Sequence, residues 1–344
     1  MERMVDLPEG FESREGNHAL VSGDDFHEPE TDQWWEHETF WFWFFHPERR
    51  LGCWSYHYVR PNIGVAGGGV FVWDDTTWFH METPYYINYT NSPLPTPLDL
   101  RDVTFSSGQR IRVLEPMLHY RLEFRDRDTI NFDLDWVAIM PPWVRVSGHD
   151  MMVTDDARAG ERKPRHFDQF GHVTGTLVLH GEQLEIDCLA MRDRSWWHRR
   201  AEPWKRHGGR SEYITGAATA DHAFFGAGPG GFAVLDGERR ALVRGSKRRE
   251  RDPDHGFVRR VVIDAVDTGG RELHVEGDSV SRMAIPISGV HGVCWQSLMR
   301  WEINGVEGWG DDQDAWPIHQ WSAFRRAQMG LADARADTVG DVWT

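Results

Sequence analysis

The sequence predicts an all-β chain on three observations: apolar and polar residues alternate in runs, turn residues punctuate those runs, and only one short segment has helical character. Ile130, Phe132, Leu134 and Trp136 alternate with Asn131, Asp133 and Asp135, the period of a strand with one buried face. Val173, Gly175, Leu177 and Leu179 alternate with Thr174, Thr176 and Val178. His180-Gly181-Glu182 then breaks the run and Leu184, Ile186 and Cys188 resume it, which is the signature of a hairpin. The helical candidate is the tail, residues 323–334. At 344 residues the chain exceeds the usual size of one domain, so two β-domains are expected.

Residues 1–30 are acidic and aperiodic and read as an N-terminal arm. The first β-domain, 31–150, opens with Trp34-Trp35-Glu36 and runs through Phe40-Trp41-Phe42-Trp43-Phe44-Phe45. It turns at His46-Pro47-Glu48-Arg49-Arg50 and returns along Gly52-Cys53-Trp54-Ser55-Tyr56-His57-Tyr58-Val59, an aromatic hairpin. Further strands are expected at 70–73, 78–81, 111–114, 119–125 and 130–137. Residues 151–165 are polar, lack periodicity and read as a linker.

The second β-domain, 166–344, begins with the Val173–Cys188 hairpin. Its other strands are expected at 213–220, 232–235, 241–244, 257–266, 273–277, 295–302 and 306–310. The glycine-rich stretch from Gly226 to Gly231 reads as a flexible turn, because no helix signal follows and no GKS or GKT is present.

Composition excludes several function classes. A formal charge of −16 with dispersed basic residues argues against nucleic acid or an anionic membrane as partner. Three cysteines, Cys53, Cys188 and Cys294, are too few and too scattered for a disulfide framework, which fits a reducing cytoplasm. No signal-peptide core and no apolar run near 20 residues is present, so stable membrane insertion is not expected. Eighteen tryptophans are far more than usual. Most suit packing between sheets, and three or four would suffice for a pocket that holds an apolar or cation-forming ligand.

One carboxylate stands out. If the strand after His180-Gly181 stays extended, Met191, Asp193 and Ser195 share one face while Arg192, Arg194 and Trp196 share the other, so the arginines do not neutralise the acid. His166, Asp168, Gln169 and His172 lie just upstream and offer an acid/base and water-positioning set. Trp295, Ser297, Met299 and Trp301 share one face of a late strand and suit a second pocket wall.

His57, between Tyr56 and Tyr58, reads as a hydrogen-bonded core histidine. The pair Asp133 and Asp135 and the trio Asp311, Asp312 and Asp314 lack the Gly-punctuated spacing of a calcium loop and read as solvated surface. No HExxH exists and Ser195 has no GxSxG context, which argues against a metalloprotease or serine hydrolase. No metal and no cofactor are expected.

Two segments carry a family resemblance. Gln33-Trp34-Trp35-Glu36, an aromatic strand and Gly52-Cys53-Trp54-Ser55-Tyr56 resemble an opening EWWYF hairpin, with Glu36-His37-Glu38 where aromatics are usual. Val173-Thr174-Gly175-Thr176-Leu177, Gly181 and Leu189-Ala190-Met191-Arg192-Asp193-Arg194-Ser195-Trp196 resemble VSGTL, then G, then a GLAWMDxxWG-like ending. In that ending Met191 replaces an aromatic and Trp197 a glycine. The family resembled is that of carotenoid 1,2-hydratase (hydroxyneurosporene synthase), the AttH-type lipocalin-like proteins and fungal isoflavonoid hydratases such as kievitone hydratase. The resemblance implies two lipocalin-like β-barrel or sandwich domains in tandem with an apolar ligand between or within them. In the hydratases it implies water addition to an isoprenoid double bond, with Asp193 as proton donor.

That chemistry makes physical demands. An alkene is a poor base, so its donor must be a carboxylic acid kept neutral by a dry, apolar setting. The resulting carbocation needs aromatic faces that stabilise it without attacking it, and water must enter from one side only. The expected function is therefore a hydratase or dehydratase of an apolar, isoprenoid-like or prenylated alkene. Asp193 is the expected general acid, His166 or His172 orients water, and Trp196 walls the cation. Met191, Trp35, Tyr56, Gln169, Trp295 and Trp301 complete the pocket. A non-catalytic carrier of hydrophobic molecules and a cyclase or isomerase of an apolar polyene are the alternatives. The expected partner is an apolar small molecule, and a homodimer is left open.

Overall fold

Two antiparallel sheets in tandem, followed by one short helix, make up the chain. The computed structural model describes residues 22–146, 164–198, 211–226, 231–287, 292–331 and 341–343. The arm up to residue 21, residues 151–163 of the linker and the centre of the glycine-rich turn, 227–230, lie outside the described residues. No described helix is long and apolar enough to cross a membrane.

The first sheet holds β1 (Glu36–His46), β2 (Leu51–Arg60), β3 (Val65–Trp73), β4 (Tyr85–Pro93), β5 (Asp102–Thr104), β6 (Arg110–Glu115), β7 (His119–Asp126), β8 (Ile130–Ala138), β9 (Trp143–Val146), β10 (Pro164–Leu179) and β11 (Glu182–His198). Its order is β4-β3-β2-β1-β11-β10-β8-β7-β6-β5, with β9 also on β10. The hairpin β10–β11, expected from the sequence at the head of the second domain, thus lies in the middle of the first sheet. Sheet membership changes after His198, not near residue 160.

The second sheet holds β12 (Ser211–Thr219), β13 (His222–Phe225), β14 (Phe232–Leu235), β15 (Glu238–Arg251), β16 (Val258–Asp267), β17 (Glu272–Ile287), β18 (Gly292–Ile303), β19 (Val306–Pro317) and β20 (Asp341–Trp343). Strands β12 to β19 close into an eight-stranded barrel through the β14–β15 and β12–β19 pairings, and β20 adds to β15. Helix α1 (Ile318–Gln328) starts immediately after Pro317, five residues earlier than its helical pattern suggests. Residues 78–81 form no strand; a 3₁₀ turn occupies His80–Glu82.

Alternation along β1 sorts its aromatics. Phe40, Phe42 and Phe44 face the hollow of the curled first sheet, packing on Phe105, Tyr120 and Phe132. Trp41 and Phe45 face the barrel and meet Tyr213 and Trp309. Both sets are nearly inaccessible to water, and each ring so buried contributes roughly 1.5–3 kcal/mol. One continuous core spans both sheets, joining Phe170 and Met191 to Phe225, Phe232 and Leu298. Gly171 is required by this packing: a Cβ there would lie 2.3 Å from the Trp136 indole.

The arm is less detached than its composition suggests. Asp24, 1% exposed, accepts from Met117 N and the Tyr120 hydroxyl and pairs with Arg192.

Candidate active site

The turn between β10 and β11 fixes the site. His180 and Gly181 both have positive φ, 51° and 84°, the backbone of a tight two-residue hairpin loop. Counting outward from it, Asp168 falls opposite Asp193, His166 opposite Ser195, and Phe170 opposite Met191. Directly opposed residues on neighbouring strands share a face. The row through the two aspartates extends across the sheet: Trp41 lies opposite Asp193, Tyr56 opposite Trp41, and Trp143 opposite Asp168.

Tyr213 of β12 reaches across from the barrel. Its hydroxyl donates to Asp168 Oδ1 and lies 3.1 Å from Met191 Sδ. Its ring meets Trp41 edge-on at 5.4 Å. His166 Nε2 lies 3.0 Å from Asp168 Oδ1, and Nδ1 lies 2.7 Å from Ser195 Oγ. A carboxylate only accepts, so Nε2–H donates to it and Nδ1 receives the serine hydroxyl. Asp168 is fully buried, whereas Asp193 is half-buried. His166, Asp168 and Asp193 each bring a donor atom within 4.8 Å of the others. Among the described residues they form the one set with metal-ligand geometry, although Asp168 Oδ1 and both His166 nitrogens already take part in the bonds just described.

The opposite face of β11 keeps the arginines away from this cluster. Arg192 pairs with Asp24 at 3.1 Å, receives support from Gln169 Oε1, and lies 3.9 Å over the Tyr120 ring. Arg194 pairs with Glu38 at 2.7 Å and lies 4.2 Å over Phe40. Burial lowers the Arg194 guanidinium from its ordinary value. Each arginine has its own carboxylate on its own side of the sheet, as alternation along β11 requires.

Of the residues expected at the site, Asp193, His166, Met191 and Tyr56 share this face. His172 is on the same face by parity but lies farther along it, opposite Leu189, where its Nε2 meets Asp187 Oδ1 at 2.6 Å on the surface, away from the aspartate cluster. Gln169 points to the arginine face, where its Nε2 donates to the carbonyls of Met117 and Met140. Trp196 also lies on the arginine face, stacked on His27 at 4.0 Å, because it has the parity of Arg192. Trp35 packs against Trp34 before β1 begins, six residues along the chain from Trp41. Trp301 fills the barrel interior and donates to Thr215 O at 2.8 Å. Trp295 lines a different cavity, beside Phe79 and Trp321.

Asp311, Asp312 and Asp314 are fully buried, not solvated. Asp312 and Asp314 pair with Arg249 and Arg251 at 3.1 and 2.7 Å. Asp311 accepts from Thr215, Gln296 and Gln313, and burial raises its carboxyl to about 7. His57 is a core histidine, as expected, 2.8 Å from Ser107 Oγ, and burial lowers it to about 3. Tyr213 was not foreseen at the site, because its strand offers no cue that it packs on the other sheet. Trp41 was foreseen only as a member of an aromatic strand.

A family model described as a domain of unknown function, DUF7064, matches residues 22–318. No curated protein matches the sequence. Among solved structures the chain is similar to an AttH-like protein from Nitrosomonas europaea, with 13% identity and a TM-score of 0.50, over 81% of this chain and 91% of that one. It is also similar to CghA, with 10% identity and a TM-score of 0.48, over 85% and 93%. Kievitone hydratase from Nectria haematococca aligns with 10% identity and a TM-score of 0.41, over 82% and 89%. The likeness to the AttH-like protein is one of fold, and AttH-type proteins are among those that the two sequence segments resemble.

Proposed function

The chain belongs to the DUF7064 family, and we propose that it is a hydratase-type lyase, adding water to, or removing it from, a double bond of an apolar, isoprenoid-like or prenylated substrate. The observation that supports this reading is the facing pair Asp168 and Asp193 on an aromatic wall, with both neighbouring arginines turned away. Two carboxylates this close, one of them wholly buried, repel when both are charged, so the pair holds a shared proton more cheaply than two charges. Asp168, anchored by His166 and Tyr213, is the fixed member. Asp193, half-buried, is the member that reaches substrate.

The π electrons of the alkene take the Asp193 proton and form the new C–H bond, and the neighbouring carbon becomes cationic. Trp41 and Tyr56 present aromatic surface to that charge. A water oriented by the Ser195–His166 pair adds to the cation, and its surplus proton returns to the aspartate pair. The reverse sequence dehydrates an alcohol.

The reading is tested by identifying the small molecule that copurifies with the chain, then incubating candidate prenylated and isoprenoid alkenes in ¹⁸O-labelled water. A product heavier by one labelled water supports it. A ligand that binds and is never converted marks a carrier, and a product of unchanged mass marks a cyclase or isomerase.

A further inference from the structure

A cavity of about 370 Å³ lies where the 3₁₀ turn of the first unit meets the barrel and α1, and its lining shares no residue with the aspartate cluster. The turn is tied to β17 by a bridge from Phe79 to Ala284 and by Ala284 N donating to Trp78 O at 2.9 Å. On α1, Ile318, Trp321 and Arg325 follow the i, i+3, i+7 spacing of a single helix stripe, and all three line the cavity. The volume is that of a small-molecule site.

Its chemistry is one-sided. Phe79, Trp295 and Trp321 supply aromatic walls, and the charged or titratable residues of the described lining are His80, His255 and Arg325, with no carboxylate among them. In a chain of net charge −16 that selection is unusual. The Arg325 guanidinium donates to Gln328 Oε1 and Asp254 O, both neutral acceptors, so its charge is not offset by them. His255 Nδ1 lies 3.1 Å from Asp252 Oδ1, which occupies that side of the ring. Trp295, 2% exposed, carries a buried indole N–H with no hydrogen-bond partner. A buried donor without an acceptor carries a desolvation cost that a bound acceptor removes.

We propose that this cavity is a binding site for a small apolar anion, an aryl or alkyl carboxylate. Its hydrophobic body lies against Phe79, Trp295 and Trp321, and its charged oxygens meet Arg325 and the Trp295 indole N–H. The site is separate from the hydratase reading and stands or falls without it.

The test uses the full chain and two fluorescent probes of similar size: the anionic 8-anilinonaphthalene-1-sulfonate and the neutral N-phenyl-1-naphthylamine. The expected result is saturable binding of the anionic dye, displaced by 1-naphthoate. Arg325→Leu weakens the anionic dye about tenfold, the loss of a charged hydrogen bond, and leaves the neutral dye within about twofold. Trp295→Phe, which keeps a ring and removes the donor, also weakens the anion selectively. Asp193→Asn leaves both dyes unchanged. Equal weakening of both dyes by Arg325→Leu, no effect of that change on either, or loss of binding in Asp193→Asn each overturns the proposal. Near-ultraviolet circular dichroism of each variant shows whether the fold is retained, and Trp295→Phe decides the matter if Arg325→Leu is misfolded.

Discussion

Asp168 and Asp193 stand directly opposite each other on β10 and β11, and the buried member is held by a hydroxyl from the other sheet, that of Tyr213. The barrel therefore completes a site whose acids belong to the first sheet. Tyr213→Phe removes one hydrogen bond and no ring. On a converted substrate, kcat is expected to fall at least about tenfold with KM nearly unchanged, since a hydrogen bond to a charged carboxylate contributes roughly 1.5–3 kcal/mol. Steady-state kinetics of the variant checks it.

Arg192 is a stability residue. With both partners 1% exposed, Arg192→Ala leaves Asp24 as an uncompensated buried charge, which costs about 3–5 kcal/mol. Urea denaturation should show that loss, and adding Asp24→Asn should recover part of it. A loss below about 1 kcal/mol would contradict this account of the arginine face.

His172 meets only Asp187, at a surface where both side chains are well exposed. His172→Ala should therefore leave both turnover and stability within about 0.5 kcal/mol of the parent, whereas His166→Ala should lower turnover. Comparing the two histidine variants in one assay separates the residue bonded to Asp168 from the one farther along the same face.

Asp311 makes stability depend on pH. Burial raises its carboxyl to about 7, above the ordinary carboxylate value of 3.8, so the folded chain holds a proton that the unfolded chain releases. Its contribution is fully present below about pH 4 and is lost as pH rises through 7, up to about 4 kcal/mol in all. Denaturation midpoints taken from pH 4 to 8 should fall less steeply in Asp311→Asn than in the parent. Identical slopes would show that Asp311 does not retain its proton.

Much of this was legible in the sequence, and the remainder failed for identifiable reasons. Strand alternation placed Arg192 and Arg194 away from Asp193, because a period of two needs no tertiary information. The same parity assigns Trp196 to the arginine face, and counting outward from His180-Gly181 puts Asp168, not His172, opposite Asp193. Those two corrections were thus available from residue positions alone. Tyr213 was not, since which strand of one sheet packs on which strand of another depends on long-range closure. The buried trio Asp311, Asp312 and Asp314 misled for the same reason: Arg249 and Arg251, the partners of Asp312 and Asp314, lie 63 residues away, and Thr215, a partner of Asp311, lies 96 away. The position of β10–β11 between β1 and β8 is likewise a non-local pairing that hydrophobic pattern does not encode.

The most direct test of the central claim is Asp193→Asn, an isosteric change that removes the proton donor and little else. Turnover and ligand binding should be measured on the same preparation. The account predicts that turnover falls by at least about 100-fold, the scale of one general acid, while ligand affinity stays within a few-fold. Full turnover in Asp193→Asn would contradict it.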